Sequence, residues 1–546
     1  MACLASLPAH AEAPRGSDAQ IASTLRLLNE TEQRGVVDFG YGVGVRRPPV
    51  SPTRMVRAAM AAFAAPVAPD AVPSGGAAAS RNGFYGPVSP WPIIPIHMVL
   101  TPDGRVMNYG SGADGSQGGL LIYDVWNPKS GSGTAAHLVL PNGTASDIFC
   151  SAQSLVGATG QVLVTGGDVV INGKRNNANS NVELYDPASN ALTTTVAMHY
   201  QRWYPTLTPL PNGDKLLLGG FHQIINAAGQ VIHQATTIPE IFNAATGWRT
   251  LPGATSDMSW FYPHTFAAAG GTAFTIDPSG HMYRIDLSGT GRTTKLATTA
   301  PSGSTQLPTI MFAPGKLLSV RSQGIAVVID INGALPVVTP TASLSQERLW
   351  ASATLLADGK VMVSGGSAVS NALLGAAYRN ETWDPATGAW TLGATYTKPR
   401  LYHSNTLLLP DGSVVNGGGG APGPVKNLNA ETFYPAYLYA NDGSGNPAPR
   451  PMLTAATLSV PVGGRIAGVL GGLDRISRVT LLRTGSATHS TNLEQRFLDL
   501  PFTQSGATIT ATLPADPVTL LPGYHMLFVF NAAGTPSVAR MVQVTN

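Results

Sequence analysis

The chain has 546 residues, several times a common domain length of about 100–200, and 43% of them are hydrophobic while 12% are charged. That balance excludes a chain disordered throughout. A net charge of +3 with no Lys/Arg block gives no footing for nucleic acid. No apolar run approaches the roughly 20 residues of a membrane-spanning helix. Sixty-one Gly and 43 Pro interrupt the chain too often for a helical protein and favour short strands joined by turns.

The N-terminal MACLASLPAHAEA reads as the back half of a secretory signal, which predicts a secreted or cell-envelope protein. Residues 1–90 read as leader and Ala/Pro-rich linker, largely disordered, with one short helix around IASTLRLLNETEQ. From about residue 95 a unit recurs: an apolar strand, an Asp-Gly or Asn-Gly turn, a second strand ending in Gly-Gly, then a third strand. The clearest copies are SAQSLVGATGQVLVTGG with VELYDP, YPTLTPLPNGDKLLLGG with EIFNAATGW, and LWASATLLADGKVMVSGG with ETWDPATGAW. Seven such units, at the period of kelch repeats, predict an all-β fold with a seven-bladed kelch-type β-propeller over 91–445. One blade cannot bury its faces alone, and radial stacking buries them. Residues 446–546 break the pattern and predict an Ig-like β-sandwich.

A propeller says nothing about function by itself, so the polar residues at blade starts carry the argument. Cys150 stands before the second unit in DIFCSAQ, Tyr204 opens the third in QRWYPTL, and Tyr402 and His403 open the seventh in PRLYHSN. Repeat symmetry places such positions at one end of successive blades, pointing inward. Singly, each has a bland reading as a packing aromatic, a buried small thiol or a structural histidine. Only Cys3 and Cys150 exist, so loss of a leader leaves Cys150 an unpaired thiol in need of an explanation. The run NGGGGAPG lacks the context of a phosphate loop and reads as a blade-end turn.

DIFCSAQ, QRWYPTL, LYHSNTLLLPDGSVVNGGGG and GSATHSTNLEQR, in this order, resemble signature segments of the copper radical oxidases, the group of galactose oxidase and glyoxal oxidase. The resemblance runs from about residue 95 to the C-terminus. It implies a copper ion held by Tyr204, Tyr402, His403 and His489, with His489 supplied by the C-terminal domain through the propeller axis. It also implies a Tyr204–Cys150 thioether carrying a free radical, and Tyr402 as the base. Imidazole nitrogens with phenolate and water oxygens suit Cu(II) independently of the resemblance. The implied reaction takes hydrogen from an aldehyde hydrate or primary alcohol and reduces O2 to H2O2. A peroxide-consuming partner and a monomeric state go with that expectation.

Departures from galactose oxidase bear on the substrate. Eighteen residues after Tyr204, where galactose oxidase has a tryptophan over the thioether, stands His222; Trp203 or Trp260 are the candidates to replace it. The sugar-binding arginine of galactose oxidase is matched by Pro263, after Tyr262, which removes a bidentate donor. The carbohydrate-binding module expected before the propeller is replaced by the low-complexity N-terminal stretch. These features favour a glyoxal oxidase-like enzyme for small aldehydes or alcohols, with Trp203, His222, Tyr262 and Trp350 near the substrate. The alternative is a non-catalytic kelch adhesin or binding module with no copper and a free Cys150.

Overall fold

The computed structural model describes residues 72–118, 122–171, 174–225, 231–255 and 261–546. Cys3, the IASTLRLLNETEQ segment and Trp260 lie outside them.

Seven antiparallel sheets match the seven repeat units; five draw only on their own repeat, and blades one and seven each take a strand from a distant part of the chain. In blade two, Ala152–Leu155 pairs with Val162–Thr165, which pairs with Val182–Asp186 and through it Ala191–Thr194. The innermost strands are uniformly buried because they face neighbouring blades on both sides, while outer strands alternate, as in Arg292–Thr299. The Gly-Gly pairs of the repeat have a specific use. Gly166 and Gly167 adopt left-handed φ of 66° and 97°, and a Cβ on Gly166 would stand 2.3 Å from the Arg202 carbonyl. The pair lets the start of blade three cross closely, with Gly167 N–H donating to Arg202 O at 2.9 Å. Gly365 and Gly366 receive Arg400, at the start of blade seven, in the same way.

Buried Arg–Glu pairs then lock three of these starts to their own blades: Arg202 with Glu240, Arg348 with Glu381, and Arg400 with Glu431. Blade two keeps the acid, Glu183, but has Ile148 where the arginine stands in blade three. Neither Glu183 side-chain oxygen has a hydrogen-bond partner.

Blade seven departs from the expected boundary at residue 91. Its outer strand is Phe84–Tyr85, paired with Tyr434 and Phe433, and Ser89–Pro90 pairs with Ala430 and Asn429. This stretch was expected to be linker. Two residues beside prolines show no alternating pattern, yet the Tyr85 ring packs 4.9 Å from Phe433 and 5.3 Å from Tyr396.

Residues 453–545 form a sandwich of a four-stranded and a five-stranded sheet around a core including Ile466, Val479, Leu481, Ile509 and Val529. Between Ile476–Arg483 and Phe497–Asp499 the chain leaves the sandwich. Its strand Ser486–Thr488 becomes the innermost strand of blade one, with His97 opposite Thr488.

Candidate active site

Five blades begin with a residue forced into the left-handed region: Cys150 (φ 56°), Tyr204 (64°), Tyr262 (38°), Trp350 (69°) and His403 (68°). None is Gly, Asn or Asp, so each costs on the order of 1–3 kcal/mol that the surrounding ring must offset. The conformation turns the side chain from the strand toward the axis. Backbone bonds stitch the starts together: Tyr204 N–H donates to Cys150 O at 3.0 Å, and Tyr262 N–H to Tyr204 O at 2.9 Å.

His489 arrives from the sandwich. It and Ser490 occupy the centre of a two-residue hairpin turn, both left-handed at φ 45° and 63°, closed by Thr491 N–H to Thr488 O at 2.7 Å. Such a turn ordinarily takes Asn-Gly, so His-Ser here is a backbone cost borne to place an imidazole on the axis.

The structure thus brings Cys150, Tyr204, Tyr402, His403 and His489 together, all at most 3% exposed. Cys150 Sγ lies 3.5 Å from His489 Nε2 and 4.0 Å from His403 Nε2, and the Tyr204 and Tyr402 hydroxyl oxygens are 2.9 Å apart. Each imidazole has its far nitrogen committed. His403 Nδ1 donates to the Gly420 carbonyl at 2.7 Å. The Thr488 hydroxyl donates to Ile96 O, so at 2.5 Å it accepts from His489 Nδ1. Both Nε2 lone pairs therefore face the centre.

Burial pulls His403 down to about 3 and His489 well below its ordinary value, so both rings are neutral. Burial, then the neighbouring Cys150, pushes the Tyr204 and Tyr402 phenols well up. The Cys150 thiol is raised chiefly by burial. A buried ring of neutral donors is set to exchange phenol protons for a cation, and two nitrogens with two phenol oxygens fit Cu(II).

Over 506 residues the chain is 30% identical to galactose oxidase of Gibberella zeae, spanning 85% of this chain and 71% of that protein. The chain belongs to the copper radical oxidase family. Residues 450–544 match the family model described as "Galactose oxidase-like, Early set domain". Over 166 residues, 27% of this chain and 30% of the relative, it is 33% identical to the aldehyde oxidase GLOX of Vitis pseudoreticulata. The fold matches that of a solved fungal alcohol oxidase in complex with copper at TM-score 0.74, covering 85% of this chain and all of that one at 24% identity.

Around the centre this copper radical oxidase is aromatic. Trp203 stacks on Tyr204 at 4.9 Å and 11°. His222 is instead part-exposed with Nδ1 2.9 Å from Thr236 Oγ1. Trp350 lies 4.3 Å from the Tyr402 ring and Tyr262 4.6 Å from His489. Sequence reasoning missed Phe261, 4.5 Å from Tyr204, and the roles of Thr488 and Gly420 in orienting the imidazoles. Phe261 sits beside Tyr262 in WFYPHTF and carried no polar signal; the glycine run was legible only as a turn.

Proposed function

We propose that this copper radical oxidase oxidises a small aldehyde, as its hydrate, or a primary alcohol, with copper held by Tyr204, Tyr402, His403 and His489 and a Tyr204–Cys150 thioether as its second redox centre. The observation that carries the reading is the 2.9 Å approach of the Tyr204 and Tyr402 oxygens opposite two inward-facing imidazole nitrogens. Copper, when bound, supplies a one-electron acceptor and the positive charge that acidifies a substrate hydroxyl.

The remaining work falls to side chains. Tyr402 oxygen takes the proton that the substrate hydroxyl gives up. Tyr204 oxygen, beside it, takes hydrogen from the carbinol carbon, so one small carbinol group serves both. Two electrons and two protons leave the substrate and reduce O2 to H2O2. Buried walls, with Trp203 and Phe261 against Tyr204, keep water from a radical held on that ring. Proline at 263 in place of a guanidinium, and the GLOX likeness, support a small substrate over a hexose.

A non-catalytic binding module has no use for five buried donors converging on the axis, four of them on strained backbone. A peroxide-consuming partner belongs to the same proposal. So does export, supported by the N-terminal pattern and checked by sequencing the N-terminus of protein recovered from the medium. No helix among the described residues is long and apolar enough to cross a membrane.

The deciding experiment loads purified protein with copper, then reduces, denatures and weighs it. A product lighter by two hydrogens, with the Cys150 and Tyr204 peptides inseparable by reductant, is expected. A free Cys150 thiol after loading overturns the reading.

A further inference from the structure

Five residues after His489, the returning arm of its hairpin carries Glu494, 1% exposed inside the propeller. One of its oxygens accepts from Arg483 Nε at 2.8 Å and lies 2.8 Å from Arg483 Nη2. Its other oxygen accepts from the Ser154 hydroxyl and lies 3.8 Å from Lys215 Nζ. Arg483 ends the sandwich strand from which the hairpin leaves. Ser154 belongs to the inner strand of blade two, four residues after Cys150. Lys215 pairs with Pro209 on the strand Trp203–Pro209 that carries Tyr204. One carboxylate thus joins the three segments that supply Cys150, Tyr204 and His489.

Between the hairpin and blades two to four lies a small cavity of about 20 Å³, lined by Gln153, Thr206, Tyr262, Thr488 and Glu494 among others. Its lining residues are buried, and polar ties hold the hairpin beside it. Those ties include Gln153 Nε2 to Ala487 O from blade two, while the tie to blade three runs through Lys215 and Glu494. Burial alone would raise the Glu494 carboxyl, but Lys215 and Arg483 hold it below its ordinary value, so the clamp is ionic.

We propose that Glu494 is a positioning residue: by tying the His489 hairpin to blades two and three, it sets the approach at which the Cys150–Tyr204 thioether forms. This rests on the function proposed above. In that step a bond forms between Cys150 Sγ and a Tyr204 ring carbon. One hydrogen leaves the sulfur and one the ring, and their two electrons and two protons reduce dioxygen to peroxide.

The test uses the full chain, copper-free and then copper-saturated, and follows the cross-linked fraction by mass against time, with copper affinity from chelator competition. Glu494→Gln is expected to slow cross-linking and weaken copper binding, each by about tenfold or more, as for groups that orient metal ligands. Glu494→Asp, which keeps the charge, is expected to recover copper affinity. Lys215→Met leaves Arg483 and Ser154 on the carboxylate, so copper affinity is expected to stay within about twofold while cross-linking slows about tenfold. Should Glu494→Gln fail to fold, Lys215→Met decides. Cross-linking at the wild-type rate in Lys215→Met, or in a folded Glu494→Gln, overturns the proposal. Absence of a cross-link in the wild-type protein overturns the functional reading instead.

Discussion

The hydroxyl oxygens of Tyr204 and Tyr402 meet at 2.9 Å across a sequence separation of 198 residues, each delivered by the start of a different blade. Without a cation the two phenols share a hydrogen bond and neither ionises, because burial and the neighbouring Cys150 raise both. Their chemistry in the proposed reaction is therefore divided by environment and not by acidity alone.

That division gives the first expectation. Tyr204→Phe removes the hydrogen-accepting oxygen but leaves both imidazoles and Tyr402. Turnover should fall at least about 10⁴-fold, as for a member of a group that acts as a unit, while copper stays bound. Peroxide release and bound copper, measured on one sample, check it; near wild-type turnover would sink the radical assignment.

Trp203 offers a second, since it lies nearly parallel to the Tyr204 ring. A stacked pair contributes about 0.5–1.5 kcal/mol, so Trp203→Phe should speed decay of the oxidised radical by about threefold to tenfold. Copper affinity and the cross-link should not change. Loss of the radical's optical absorption after chemical oxidation reports the rate, and an unchanged half-life would show that Phe261 and burial suffice without the indole.

Blade two supplies a third, through the acid that lost its arginine. Burial raises the Glu183 carboxyl from an ordinary 4.5 to about 8. Between those two pH values the folded protein holds a proton that the unfolded chain releases, so Glu183 makes stability fall as pH rises through that window. Glu183→Gln should melt like wild type near pH 4.5 and be more stable by about 1–3 kcal/mol near pH 8. Melting curves at the two pH values decide. An equal difference at both would mean that Glu183 does not titrate in the folded state.

The seven blades were legible because each is local: strand, turn, strand and Gly-Gly lie within one repeat, and the glycines turned out to seat the following blade. The five residues singled out for the site, Cys150, Tyr204, Tyr402, His403 and His489, are the ones the fold brings together. Their visibility came from unusual residue types at equivalent repeat positions and from motif resemblance. Phe84–Tyr85 was not legible, because its partners Phe433 and Tyr434 lie at the other end of the ring and leave no local trace. The Trp203-for-His222 exchange was undecidable for a similar reason. Which ring covers Tyr204 depends on the left-handed φ of Tyr204, a property of the closed ring and not of the segment.

The outer strand of blade seven has a consequence for the order in which the protein is made. Phe84 and Tyr85 leave the ribosome ahead of the other propeller strands, yet their partners follow almost a whole propeller later. The blades between emerge in turn, but the ring stays an open arc until residue 434 is out, and blade one lacks its innermost strand until Ser486–Thr488 follows. His489 comes later still and must enter along the axis. Synthesis therefore closes the wall before the last proposed ligand arrives, and copper can find its complete set of donors only once translation is nearly finished.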